Sequence, residues 1–114
     1  ANRPLAIVRD GKLMETTPTK LPIGGGQYKG DKHFECHKLD LQKGDCIYMF
    51  TDGYCDQFGG PAGKKFMKKN FYALLSKIYP LDMQRQRDIL RQSINDWKGI
   101  MEQTDDILVI GVKY

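Results

Sequence analysis

Five successive apolar positions, Cys46-Ile47-Tyr48-Met49-Phe50, stop abruptly at Thr51-Asp52-Gly53. A run this short suits a strand covered on both faces better than a helix. The pattern returns near the other end, where Ile107, Leu108, Val109, Ile110, Gly111 and Val112 follow Thr104-Asp105-Asp106. A chain with two such strands has to seat both in a sheet and find layers to cover them.

The segments between and before them suggest what those layers are. Residues 66–79 carry Met67, Phe71, Leu74, Leu75 and Ile78 along one flank of a helix that ends near Pro80, whose ring cannot continue it. A second helix, capped by Asp82, presents Leu90, Ile94, Trp97 and Met101 as a core-facing stripe. Upstream, residues 4–9 reach Asp10-Gly11, a hairpin signal, and residues 12–15 return as the partner strand. Residues 33–41 alternate apolar and polar, which predicts a strand with one wet face. Residues 16–30, with Gly24, Gly25 and Gly26, and residues 59–63 read as flexible loops. No GK[ST] follows the glycine run, which argues against a phosphate cradle. Strands first, helices next and one strand last make an α+β domain. Two helices stand between its penultimate and last strands.

Composition excludes several classes. A chain of 114 residues is one domain at most. No apolar run approaches the roughly 20 residues of a membrane span, and no basic-then-apolar leader suggests secretion. Eighteen Lys+Arg against 14 Asp+Glu give a net charge of +4, too weak to imply nucleic acid unless it clusters. Lys64, Lys65, Lys68 and Lys69 do cluster. They read as the solvated flank of the first helix, with docking of an acidic or phosphorylated partner as the alternative. Cys36, Cys46 and Cys55 are odd in number and form no CxxC, so reduced thiols and a cytoplasmic location are expected. His33, Cys36 and His37 make a poor zinc set, because a strand would point Cys36 away from both histidines.

The chemistry concentrates at the strand ends. Asp52 closes one buried strand, while Asp105 and Asp106 open the other. If the two pair antiparallel, the three carboxylates converge on one rim of the sheet. Such a cluster is costly unless it is protonated, solvated or bridged by a cation. Oxygen-only donors suit magnesium, manganese or calcium. The alternative is that Asp52 merely precedes a turn and that Asp105-Asp106 end a helix–strand loop. Asp56 either supports such a site or is an ordinary loop residue.

The stretch Gly44-Asp45-Cys-Ile-Tyr-Met-Phe-Thr51-Asp52-Gly53, followed by helices and then Thr104-Asp105-Asp106-Ile-Leu-Val, resembles the C-terminal part of the stage II sporulation protein E family. These are metal-dependent, type 2C, serine/threonine protein phosphatases. Ala1-Asn2-Arg3-Pro4-Leu5 looks like the tail of the family's AGxNxPL segment, and Leu21-Pro22-Ile23-Gly24 resembles its LPLG loop. Asp56-Gln57-Phe58-Gly59-Gly60, with Trp97-Lys98-Gly99 and Glu102-Gln103, is similar to a subgroup found on bacterial multidomain sensor proteins.

The resemblance implies an αββα sandwich of two antiparallel sheets, of which this chain is a part. It also implies metal ligation by Asp52 and Asp105, with Asp106 in support. In the family, two magnesium or manganese ions activate a water that attacks the phosphorus of phosphoserine or phosphothreonine. The implied target is a phosphorylated signalling regulator such as an anti-sigma-factor antagonist, and the implied setting is a chain with upstream sensor domains. The family's first metal-binding Asp lies upstream of the AGxN segment. Residues 1–114 are therefore expected to be the C-terminal portion of one phosphatase domain, inactive alone, with an exposed apolar sheet face that favours homo-oligomers. A non-catalytic module that binds a phosphorylated partner through Lys64, Lys65, Lys68 and Lys69 is the alternative.

Overall fold

The computed structural model describes residues 2–24, 30 and 33–114. Ala1 and the expected loop glycines Gly25 and Gly26 lie outside the described residues. β1 (Ala6–Arg9) turns at Asp10-Gly11 into β2 (Lys12–Glu15). Both turn residues have positive φ, 49° and 75°, as a two-residue hairpin turn of matching twist requires. β3 (Cys46–Phe50) pairs with the other edge of β1, and β6 (Val109–Lys113) pairs with β3. The result is an antiparallel sheet of order β2-β1-β3-β6.

Helices α2 (Lys68–Ile78) and α3 (Met83–Lys98) lie on one face of this sheet, between β3 and β6 in the chain. Ala6, Val8, Cys46, Tyr48 and Phe50 meet Phe71, Leu75, Ile78, Leu90 and Ile94 there. Each of the large side chains contributes about 1.5–3 kcal/mol by leaving water. Phe50 sets its ring edge-on to Phe71 at 4.9 Å. Asp82 caps α3 as expected, its carboxylate accepting the Arg85 N–H at 2.9 Å. Two polar links lie within the packing. Tyr48 donates its hydroxyl to Gln86 at 2.6 Å, and Gln86 in turn donates to the carbonyls of Tyr79 and Leu81. Buried Asp45 takes two hydrogen bonds from Arg9, at 3.0 and 2.7 Å, and one from the Gln42 N–H.

Helices cover one face of the sheet only, although the apolar runs predict cover on both; on the second face Ile7 is buried but its neighbours are not. Met14, Met49, Ile110 and Val112 stand on the second face, each about half exposed. No described element packs over them. The radius of gyration, 15.9 Å, exceeds the roughly 13 Å of a compact domain this size, which fits a slab with one open side.

Other expectations are corrected. Residues 33–41 form no strand. They run beside residues 17–19, tied by Glu35 N–H to the Thr19 hydroxyl and by the His37 ring to the Thr17 carbonyl. Side-chain ties have replaced a backbone ladder, and Phe34 and Leu39 stay exposed. The first long helix starts at Lys68, not at residue 66. The backbone N–H groups of Phe66 and Met67 are spent on the carbonyls of Gln57 and Cys55, and Met67 has φ 78°. Met67 is accordingly exposed rather than core. Lys64 and Lys65 form β5 (Lys64–Lys65), which pairs with β4 (Phe58–Gly59), so the four lysines do not share a helix flank. Lys65 faces Asp56 at 3.4 Å and Lys68 faces Glu15 at 3.0 Å, so both are partly neutralised. Met101 falls beyond α3 and is exposed.

The 59–63 segment is a close-packed turn rather than a slack loop. Gly60 N–H donates to the Trp97 carbonyl at 2.9 Å, and the Trp97 indole N–H donates to the Gln57 carbonyl at 2.9 Å. A Cβ on Gly59 would lie 1.8 Å from the Trp97 carbonyl oxygen, and one on Gly60 2.6 Å from its ring. Gly59→Ala and Gly60→Ala are each expected to cost more than about 2 kcal/mol, the upper range of overpacking. Urea unfolding checks this, and either variant keeping wild-type stability would refute the packing described.

Candidate functional site

The register of the sheet builds the site. β3 and β6 run antiparallel with Phe50 opposite Val109. One step further, the Thr51 N–H donates to the Leu108 carbonyl at 3.0 Å. The Thr51 hydroxyl also donates to the Asp106 carbonyl at 2.8 Å and accepts the Leu108 N–H at 3.0 Å. β1 lies on the other side of β3 with Ala6 opposite Tyr48, so continuing the chain backwards brings Arg3 to the same end. Three distant segments therefore meet at one corner of the sheet.

Gly53 allows the approach. A Cβ there would sit 2.3 Å from the Asp106 carbonyl oxygen. Gly53 also opens α1 (Gly53–Asp56), a single turn for which Asp52 is the N-cap residue. Asp52 makes no side-chain cap bond, so its carboxylate is not spent on its own helix. It points to Arg3 instead, with an Nη2–Oδ2 distance of 2.8 Å. The Arg3 guanidinium holds the Asp52 carboxyl below its ordinary value, outweighing the opposite push from desolvation.

The β3–β6 register carries Asp105, in the loop just before β6, to the end of the sheet where Asp52 follows β3. The Asp105 carboxylate accepts the Asp106 N–H at 2.8 Å. Asp106 enters the corner through its backbone carbonyl, and its side chain is exposed. Asp56 faces Lys65 and ties α1 to the β4–β5 ribbon. Behind the corner Cys55 is buried, which pushes its thiol up to about 11 with help from nearby Asp56 and Asp52. It is therefore neutral at pH 7 and offers no thiolate.

The donor chemistry at the corner is thus all oxygen and fits a hard divalent cation. Two carboxylates supply only part of a coordination shell. Among the described residues no group of three His, Cys, Asp or Glu is arranged to hold a metal. A groove of about 550 Å³ between α3 and β6 includes Leu90, Ile94, Arg87 and Arg91 but neither Asp52 nor Asp105. The site is a rim of the sheet, not a cavity.

Sequence reasoning missed Arg3, Thr51 and Gln57 as contributors. Gln57 is buried and donates to the Glu102 carbonyl at 2.9 Å, anchoring the loop that delivers Asp105. Its neighbours Phe58, Gly59 and Gly60 signalled the segment, but nothing in the sequence marked a buried glutamine.

With this geometry in place, the chain can be set beside known proteins. Residues 1–114 match the family model described as Stage II sporulation protein E (SpoIIE), and the chain belongs to that family. No curated protein matches it. Among solved structures it is similar to the SiaA-PP2C domain of Pseudomonas aeruginosa, with a TM-score of 0.82 and 24% identity. That match covers 100% of this chain and 44% of the other. It is also similar to the phosphatase domain of the cell fate determinant SpoIIE from Bacillus subtilis, in a crystal form without domain swapping. There the TM-score is 0.61 at 21% identity, over 99% of this chain and 46% of that one. A second structure of that domain gives 0.61 at 18%, over 98% and 48%. The chain thus spans less than half the length of the phosphatase domains whose fold it shares.

The corner's geometry makes a checkable demand. Gly53→Ala should destabilise the chain by about 1–3 kcal/mol through overpacking, and Thr51→Val by about 1 kcal/mol through lost hydrogen bonds. Asp52→Asn, at an exposed carboxylate, should stay within about 0.5 kcal/mol of wild type. Chemical denaturation of the three variants separates them, and a neutral Gly53→Ala would contradict the close approach.

Proposed function

We propose that residues 1–114 are the C-terminal portion of a metal-dependent protein phosphatase domain that acts on phosphoserine or phosphothreonine of a signalling regulator. The observation that carries this reading is the antiparallel β3–β6 register, which brings Asp52 and Asp105 to one corner. Asp52 and Asp105 would hold magnesium or manganese there, with Asp106 in support, and the remaining ligands of a two-ion site come from outside these residues.

Each part has a stated job. A carboxylate corner repels a phosphate dianion, so bound cations are what let the substrate approach. When bound, the ions lower the pKa of water and offset the phosphate charge. Thr51 and Gly53 fix the spacing of the two carboxylates, and Gln57 holds the loop before Asp105. The chain alone is then inactive. The regulator is of the anti-sigma-factor-antagonist type, and sensor domains precede the phosphatase domain in a cytoplasmic setting. Among the described residues no helix is long and apolar enough to cross a membrane. The binding-module alternative loses support, because two of the four lysines are engaged with Asp56 and Glu15.

Manganese titrated into the chain and into an Asp52→Asn, Asp105→Asn double variant, followed by calorimetry, is the test. Saturable binding that disappears in the double variant is expected. Identical heats from both proteins would defeat the reading.

The open sheet face belongs to the same proposal. It is the seat for the second sheet of an αββα sandwich, and in the isolated chain it pairs with a second copy. Light scattering at high micromolar concentration should give a dimer or larger species, reduced by Met49→Lys with Ile110→Lys. A wild-type monomer would refute this part.

A further inference from the structure

Arg3 is the cation that faces Asp52 among the described residues, at 2.8 Å, and it stands at the corner of the sheet to which the β3–β6 register also carries Asp105. Its placement follows from the sheet, since β1, β3 and β6 end at one level. Asp52 is available to it because the carboxylate makes no cap bond to α1. Two carboxylates at one corner of the sheet call for a positive charge, and here a side chain provides it.

We infer that Arg3 competes with the metal ion for Asp52: the guanidinium occupies the position of a cation, steadies the carboxylate in the absence of metal, and sets the metal concentration at which the site fills. This rests on the reading of Asp52 as a metal ligand.

Magnitudes say how strong the competition is. Arg3 and Asp52 are both about half exposed, at 52% and 43% for their side chains. An exposed ion pair is worth at most about 1 kcal/mol, which is roughly fivefold in an equilibrium constant. Arg3 therefore tunes the threshold and does not block the site. A divalent ion exerts about twice the attraction of the guanidinium on each carboxylate at equal distance, so it wins once its concentration is sufficient. Being electrostatic and exposed, the competition weakens as salt rises.

The experiment is manganese titration by calorimetry on the whole 114-residue chain, comparing wild type, Arg3→Ala, Arg3→Lys and Asp52→Asn at low and high sodium chloride. Arg3→Ala should bind manganese about two- to fivefold more tightly. Arg3→Lys should return close to wild type, because the competing charge is restored. The gap between Arg3→Ala and wild type should narrow at high salt. A purely structural role for Arg3 would give neither the rescue by lysine nor the salt dependence. If Arg3→Ala binds equally or more weakly while Asp52→Asn is impaired, the competition is refuted and the metal reading stands. If Asp52→Asn matches wild type, or no variant binds manganese, the metal reading fails and the competition with it.

Discussion

The pairing of β3 with β6 is the constraint on which the rest depends. Its register, with Phe50 opposite Val109, sets which residues share the helix-covered face and which stand on the open one. The same register decides that Thr51 meets Leu108 and that Gly53 lies against Asp106. A slip of one residue would exchange the two faces of β6 and move Asp105 away from Asp52. Packing and site are consequences of a single alignment, so neither can change without the other.

Much of this was legible in the sequence where the signal is local or periodic. Asp10-Gly11 announced its turn, Asp82 its cap, and the apolar runs their strands. The convergence of Asp52 with Asp105 followed from strand order once an antiparallel pairing was assumed. The losses have physical reasons. Alternation in residues 33–41 describes where side chains could point, but says nothing about whether a neighbouring strand offers hydrogen bonds. The β4–β5 ribbon has two residues per strand, too few for any period. Met67 adopts a left-handed φ that a bulky side chain rarely takes and that no sequence rule assigns to it. Gln57 and Gln86 look like surface residues, and only the completed fold reveals the carbonyls they satisfy.

The segment between Asp52 and α2 carries more structure than its composition suggests. Glycines 59 and 60 were read as slack, yet both are there so that the backbone can touch Trp97. Trp97 joins α3 to the ribbon through its indole N–H, its carbonyl and an edge-on contact with Phe66 at 5.5 Å. The helix bundle is thereby tied to the turn that carries Asp52, and the corner inherits rigidity from a contact made on the far side of α1.

The contact between Thr51 and Leu108 spans 57 residues of chain. Closing a loop of that length is an entropic cost that local elements do not face, and it is recovered only when β6 docks. Asp105 and the strand after it are also the last parts of these 114 residues to be synthesised. The approach of Asp105 to the Asp52 end of β3 therefore waits on the docking of β6. A chain interrupted before Val109 can own its hairpin and its helices, yet it has no means of bringing the second carboxylate home.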